Sequence, residues 1–116
     1  MDYALYSKLP AQVIAPATAE ELASCLREAS ACGHAVVPWG GGTRQGLGGA
    51  PSRYDIALSM AGLSGLVEYS PSDLVISVGA GMRLGAVQEL LAGHGQWLPW
   101  DPPLPNRASI GGLLAS

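Results

Sequence analysis

VVPWGGGTRQGLGG, Val36 to Gly49, sets six glycines within fourteen residues directly after a short β-branched run. Glycine loses more conformational freedom on folding than any other residue, so this density marks backbone, not side chains, as what the segment presents. Consecutive glycines can bring several backbone N–H groups to one oxyanion, and the missing Cβ lets a phosphate approach the chain closely. Glycine content alone also suits a flexible surface loop or hairpin. The position of Gly40, Gly41, Gly42 and Thr43 immediately after an apolar strand favours a pyrophosphate cradle.

Upstream of the loop, Gln12 to Ala15 reads as a short strand. Thr18 and Glu21 then make a T-x-x-E capping box that starts a helix with the apolar stripe Leu22, Cys25, Leu26 and Ala29. Gly33 is placed to end it in the left-handed conformation, and Ala35 to Pro38 follows as a buried strand. This is one strand-helix-strand unit, with its boundaries at about residues 12–60. Downstream, Tyr54 to Ser59, Leu66 to Tyr69 and a buried Leu74 to Val78 read as strands. Leu84, Val87, Leu90 and Leu91 carry a helical period that Gly93 caps, and Gln96 to Leu98 reads as a returning strand. Residues 61–116 are therefore expected to begin a second unit beside the first. ACGHAVVPWGGG and LAGHGQWLPWDPP echo each other about sixty residues apart. Units packed side by side would deliver both Pro-Trp loops to one edge.

Two familiar phosphate motifs fail on inspection. A P-loop counted from Gly41 reaches Gly46 but offers Leu47 where lysine must hold the outer phosphates. GAGMRLG, Gly79 to Gly85, lies between strand and helix as a dinucleotide fingerprint would. Its third glycine is displaced by Leu84, and Asp101 sits in a proline-rich loop, so a strand-to-helix turn is the plainer reading. The two cysteines with His34 and His94 give no zinc-ligand spacing. Both histidines follow capping glycines and read as end-of-helix residues. Cys25 and Cys32 stand about 10 Å apart along one helix, too far for a disulfide, and read as small buried apolar residues. No serine lies in a G-x-S-x-G context, and no nucleophile stands beside a recognisable base. Trp39 and Trp100 could wall a planar ring, although packing alone accounts for most tryptophans.

The 116 residues, 48% apolar and 13% charged with a formal net charge of -3, suit one small folded domain. Six scattered basic residues make no patch for a nucleic-acid backbone. No basic-then-apolar leader and no apolar run of about 18 residues is present, so the expected address is cytoplasmic without direct membrane insertion.

PATAEEL (Pro16 to Leu22), VVPWGGGT, LVISVGAGMRLGAVQELLAGHGQWLPWDPP and SIGGLLAS (Ser109 to Ser116) occur in this order. Together they resemble the FAD-binding domain of the vanillyl alcohol oxidase and p-cresol methylhydroxylase family of flavoproteins, from about Val13 to the last residue. Within that family the PWGGGT form and WLPWDPP are most similar to the FAD-binding subunit of glycolate oxidase. The resemblance implies an α+β domain of two small strand-helix-strand units, incomplete at its C-terminus and spanning residues 1–116. It implies FAD, with Trp39, Gly40, Gly41, Gly42, Thr43, Arg44 and Gln45 around the pyrophosphate. Asp101, Pro102 and Pro103, with Ser109, Ile110, Gly111 and Gly112, would line the flavin and ribityl side. Thr43 stands where covalently flavinylated relatives carry histidine, so FAD is expected to be non-covalent.

The activity implied is an oxidoreductase in which a 2-hydroxy acid such as glycolate or D-lactate passes hydride to FAD. Flavin and iron–sulfur subunits are the implied partners, with a peripheral place at the inner membrane through them. Family members continue past the I-G-G segment, so no catalytic residue is assigned, and the 116-residue chain alone is expected to be inactive. Two other readings stay open: a flavoenzyme like UDP-N-acetylenolpyruvylglucosamine reductase, and a non-catalytic flavin-fold scaffold.

Overall fold

The computed structural model describes residues 1–116. A short strand β1 (Gln12–Ile14) leads into helix α1 (Ala19–Cys32), which returns the chain to strand β2 (Val36–Trp39). The capping chemistry is as the sequence dictates. Thr18 Oγ1 accepts from the Glu21 N–H at 3.1 Å, and Gly33 ends the helix at φ +68°. Glu21 Oε2 reaches back one residue further than a simple box, accepting from the Ala17 N–H at 2.8 Å.

Strand β3 (Ile56–Ser59) lies between β1 and β2 and runs parallel to both, so the sheet order is β1-β3-β2. A parallel neighbour cannot be reached by a tight turn. The chain from Gly40 to Asp55, with the glycine-rich segment at its start, supplies the crossover from β2 to β3. Every residue of β3 is buried, with Ala57 fully enclosed, because this strand is covered at both edges. Leu5, Trp39, Tyr54 and Ala57 form the core of this lobe, with Tyr3 and Val37 against it.

The second lobe is built differently from the expected strand-helix-strand unit, within the same mixed α/β class. Strands β4 (Leu66–Ser70) and β5 (Val75–Val78) form an antiparallel hairpin, and helix α2 (Leu84–Ala92) packs on it. Met82, Leu84, Val87, Leu91 and Ile110 are its core, with Tyr69, Ile76 and Val78 lying against them. Gln96 to Leu98 joins no strand. The Gln88 side-chain amide takes both backbone groups of Leu98, donating to its carbonyl at 2.8 Å and accepting from its N–H at 2.9 Å. The end of the segment therefore docks on α2 instead of pairing in a sheet. Gly93 stands at the C-cap of α2 as expected, right-handed in conformation with its N–H on the Leu91 carbonyl, and the left-handed residue follows at Gly95, φ +67°.

Two burial expectations also change. The apolar run Leu74 to Val78 is buried on one face only: Ile76 and Val78 turn inward, whereas Leu74 and Val75 are 79% and 56% exposed. A two-stranded ribbon has one covered face, so apolar composition does not bury both. Cys25 is half-buried, but Cys32, the last residue of α1, is exposed. The radius of gyration is 15.5 Å, against about 13–14 Å for a compact domain of this length. The excess reflects two small cores set end to end.

The Pro-Trp echo is not a structural repeat. Trp39 ends a strand and is buried, whereas Trp100 lies in irregular chain and is 37% exposed.

Candidate functional site

A cavity of about 400 Å³ opens between the two lobes. One wall is the end of β2 and its loop, Val37 to Gln45. The other combines Met60 and Ala80 with Ala108, Ser109, Gly111, Gly112 and Leu113. Of the fourteen residues expected at the cofactor, Trp39, Gly40, Gly41, Gly42, Thr43, Arg44, Gln45, Ser109, Gly111 and Gly112 line this one space. Ile110 does not, because its side chain turns into the core of the second lobe. Asp101 and Pro102 line a smaller neighbouring depression with Trp100, Arg44 and Leu113, and Pro103 lines neither. Arg44 and Leu113 join the two spaces.

The backbone N–H groups of Gly40, Gly41, Gly42 and Thr43 donate to no atom of the protein. Buried backbone donors are almost always paired, so four successive free ones in residues that line a cavity are a ready anion cradle. The carbonyls of the two residues that lead into the loop, by contrast, are engaged. Trp39 accepts from the Met60 N–H at 2.9 Å, and Pro38 accepts from Gln45 Nε2 at 2.8 Å. Gln45 thus closes the loop with its amide nitrogen.

Each of the three glycines has a separate local reason. A Cβ on Gly40 would overlap Ser109 Oγ, and one on Gly41 would overlap the Arg107 carbonyl. Gly42 sits at φ +72°, where an L side chain is strained. The bare backbone at Gly40 and Gly41 therefore touches the second lobe, which closes against it.

Arg83 and Arg107 hold that closure, and nothing in the sequence marks them, since each is an isolated charge. Arg83 Nη1 donates to the Arg107 carbonyl, and Arg107 Nη2 donates to the Gly41 carbonyl at 3.4 Å. Around them, residues 82–84 run antiparallel to 108–110. The Leu84 N–H donates to Ala108 and the Ile110 N–H to Met82, both at 2.9 Å. Ser109 Oγ caps helix α3 (Ile110–Ala115), accepting from the Gly112 N–H at 3.3 Å.

Beneath the loop, Trp39 donates its indole N–H to Tyr54 Oη at 2.7 Å, and Tyr54 donates to the Tyr3 carbonyl at 2.9 Å. Burial pushes the Tyr54 hydroxyl above its ordinary value of 10.0, outweighing the lowering by the bond from Trp39. Asp55, at the start of β3, is held below the ordinary carboxylate value, first by the Ala35 N–H at 2.6 Å and then by Arg53. No helix is long and apolar enough to cross a membrane.

A cradle of free backbone donors at the mouth of a two-lobed α/β fold is what an anionic-cofactor domain presents. Residues 10–116 match the family described as FAD binding domain. The chain belongs to that family, the p-cresol methylhydroxylase type of flavin fold, and its cofactor is FAD. It is similar to a D-2-hydroxyglutarate dehydrogenase of Xanthomonas citri pv. viticola, 32% identical over 107 residues. That match takes in 92% of this chain and 23% of the relative, so the chain spans about a quarter of the relative's length. Among solved structures, an alkyldihydroxyacetonephosphate synthase superposes with a TM-score of 0.76 at 20% identity, over 89% of this chain and 21% of that one. GilR, described as an oxidoreductase that catalyses the terminal step of gilvocarcin biosynthesis, superposes with a TM-score of 0.66 at 25% identity, over 89% and 20%.

Proposed function

We propose that this chain is the FAD-binding segment of an oxidoreductase that acts on a 2-hydroxy acid. The observation that carries the cofactor half of this reading is the run of four unpartnered N–H groups at Gly40 to Thr43 beside the interlobe cavity. FAD's pyrophosphate supplies the matching acceptors, and the flavin supplies the hydride-accepting chemistry that no side chain here can. Trp39 to Gln45 would hold the pyrophosphate. Ser109, Gly111 and Gly112, with Asp101 and Pro102 through the adjoining depression, would border the ribityl and ring side. Residues 12–60 act as the loop-bearing lobe, and 61–116 as the lobe that closes on it.

The substrate half is supported by the 32% identical D-2-hydroxyglutarate dehydrogenase. Among such acids, glycolate or D-lactate is our reading from the PWGGGT and WLPWDPP segments, with electrons leaving to flavin and iron–sulfur subunits. Arg44 is the one titratable side chain that lines the cavity itself, and a guanidinium is no base, so no residue of this chain is assigned proton abstraction from substrate.

The test is anaerobic addition of glycolate, D-lactate or D-2-hydroxyglutarate to the purified holoprotein that carries this chain. Bleaching of the oxidised flavin absorption by one of them is expected. Bleaching by NADPH and by none of the acids would refute the reading and favour the nicotinamide-dependent alternative.

A further inference from the structure

The first eight residues lie ahead of the stretch that matches the family, yet they touch the glycine-rich crossover at several points. We propose that Met1 to Lys8 form a strap that fixes the shape of this crossover before cofactor arrives, with Tyr6 and Lys8 as its positioning residues. The proposal rests on reading Trp39 to Gln45 as the pyrophosphate loop.

The strap is a two-residue turn. Leu5 and Lys8 exchange backbone hydrogen bonds of 2.8 and 2.9 Å, and the two central residues, Tyr6 and Ser7, both have positive φ, +50° and +65°. A turn with both central residues in that region normally uses Asn-Gly, so Tyr-Ser there is strained. Such strain persists only where surrounding contacts over-determine it. Those contacts are present. On one side Leu5 is buried in the core cluster with Trp39 and Tyr54, while the Tyr3 carbonyl takes the Tyr54 hydroxyl and the Tyr3 ring meets Trp39 edge-on. On the other side the Tyr6 hydroxyl lies within donating distance of the Gly46 carbonyl, at 2.8 Å, and of the Gly48 carbonyl. Lys8 Nζ donates to the Pro51 and Ser52 carbonyls at 2.8 and 2.9 Å.

The crossover needs outside support. Between Gly40 and Ser52 its one internal hydrogen bond runs from the Leu47 N–H to the Arg44 carbonyl at 3.2 Å, and Gln45 ties the loop back to the Pro38 carbonyl of β2. A chain of six glycines left unfixed would have to be ordered on binding, and that ordering subtracts from affinity. Lys8 holds the Pro51 and Ser52 carbonyls, and the single Tyr6 hydroxyl proton serves the adjacent pair at Gly46 and Gly48, so the loop's downstream arm is already set. The strap also explains the tyrosine: its ring spans from the turn to backbone forty residues away.

The experiment uses the protein that carries this chain, with FAD affinity read from the fluorescence of released flavin. Tyr6→Phe and Lys8→Met are compared with Gly42→Ala, which strains the loop itself. Tyr6→Phe is expected to weaken FAD about fivefold and to speed amide hydrogen exchange across residues 40–48. The melting temperature of the flavin-free form should stay within about 2 °C, because a tyrosine hydroxyl at a half-exposed turn adds little to global stability. A strap that merely tethers the N-terminus would leave the FAD affinity alone. If Gly42→Ala weakens FAD while Tyr6→Phe and Lys8→Met both leave it within twofold, the strap is overturned and the loop reading stands. If Gly42→Ala also leaves it unchanged, the loop reading falls and the strap with it. Should Tyr6→Phe fail to fold, Ser7→Gly decides the matter. It relaxes the turn and keeps the contacts, so FAD should bind at least as tightly, and weaker binding would refute the strap.

Discussion

Replacing Gly41 by alanine separates two reasons a glycine can stand in this loop. If the missing Cβ serves only the approach of phosphate, Gly41→Ala should lose FAD and keep its stability. The structure argues otherwise. An added Cβ would lie 2.6 Å from the Arg107 carbonyl carbon and 2.7 Å from Arg83 Nη1, and it would overlap the carbonyl oxygen between them. Arg107 contributes backbone there, and backbone cannot swing aside as a side-chain tip can. Relief therefore requires the loop and residues 107–109 to move apart. Overpacking of this kind costs about 1–3 kcal/mol, and loss of the hydrogen bond from Arg83 to that carbonyl adds about 1 kcal/mol. Backbone strain adds nothing, since Gly41 is not at positive φ. The sum is about 2–4 kcal/mol, a large share of the 5–15 kcal/mol typical of a folded protein. Urea unfolding of the flavin-free protein should show the midpoint lowered by roughly 1–2 M at an unchanged slope, taking a slope near 2 kcal/mol/M. Gly46→Ala is the control. Nothing lies within 4 Å of its added Cβ and its φ is not positive, so it should be neutral or more stable by about 0.4–1 kcal/mol. A Gly41→Ala midpoint indistinguishable from that of Gly46→Ala would refute the interlobe explanation.

Tyr54→Phe leaves the Trp39 indole N–H buried without its acceptor and should destabilise by about 1–3 kcal/mol in the same assay. It should also remove a pH effect. The Tyr54 hydroxyl is raised in the folded state, so its contribution is fully present below pH 10 and is lost as pH climbs through the folded value. The alkaline decline in melting temperature should accordingly be shallower in Tyr54→Phe than in the unsubstituted protein. Asp55 has the opposite sign. Its folded value is depressed, so its contribution is present above about pH 3.8 and is lost as pH falls below that, toward the folded value. Asp55→Asn should flatten this acid limb while leaving the alkaline one in place, and an unchanged acid limb would show that the Ala35 N–H does not hold the charged form.

Features settled by neighbours in sequence were legible, and those settled by distant partners were not. Thr18, Glu21 and Gly33 act within one helical turn of where they stand, and the helix between them begins and ends as their chemistry requires. The glycine-rich loop could likewise be placed from its preceding strand, because a free run of N–H groups is a local property of bare backbone. In place of the strand expected at Gln96 to Leu98, the backbone groups of Leu98 are taken by Gln88, ten residues away, and no periodicity records that choice. LVISV could not reveal that its hairpin has one uncovered face, since apolar composition is the same whether one side or two is packed. Helix α3 was hidden by the two glycines in IGGLLA, which lower helix propensity, and it forms because Ser109 caps it and Ile110 anchors it in the core. The least legible part was the reason for the glycines themselves. Sequence points Gly40 and Gly41 outward, to a ligand, whereas their missing side chains are first required by Ser109 and Arg107 of the opposite lobe. The two requirements are compatible in one peptide: the Cα side of each residue packs against protein while its N–H stays free. That division lets the second lobe close directly onto the loop proposed to meet the cofactor, so on that reading lobe packing and cofactor affinity are coupled through the same two residues, Gly40 and Gly41.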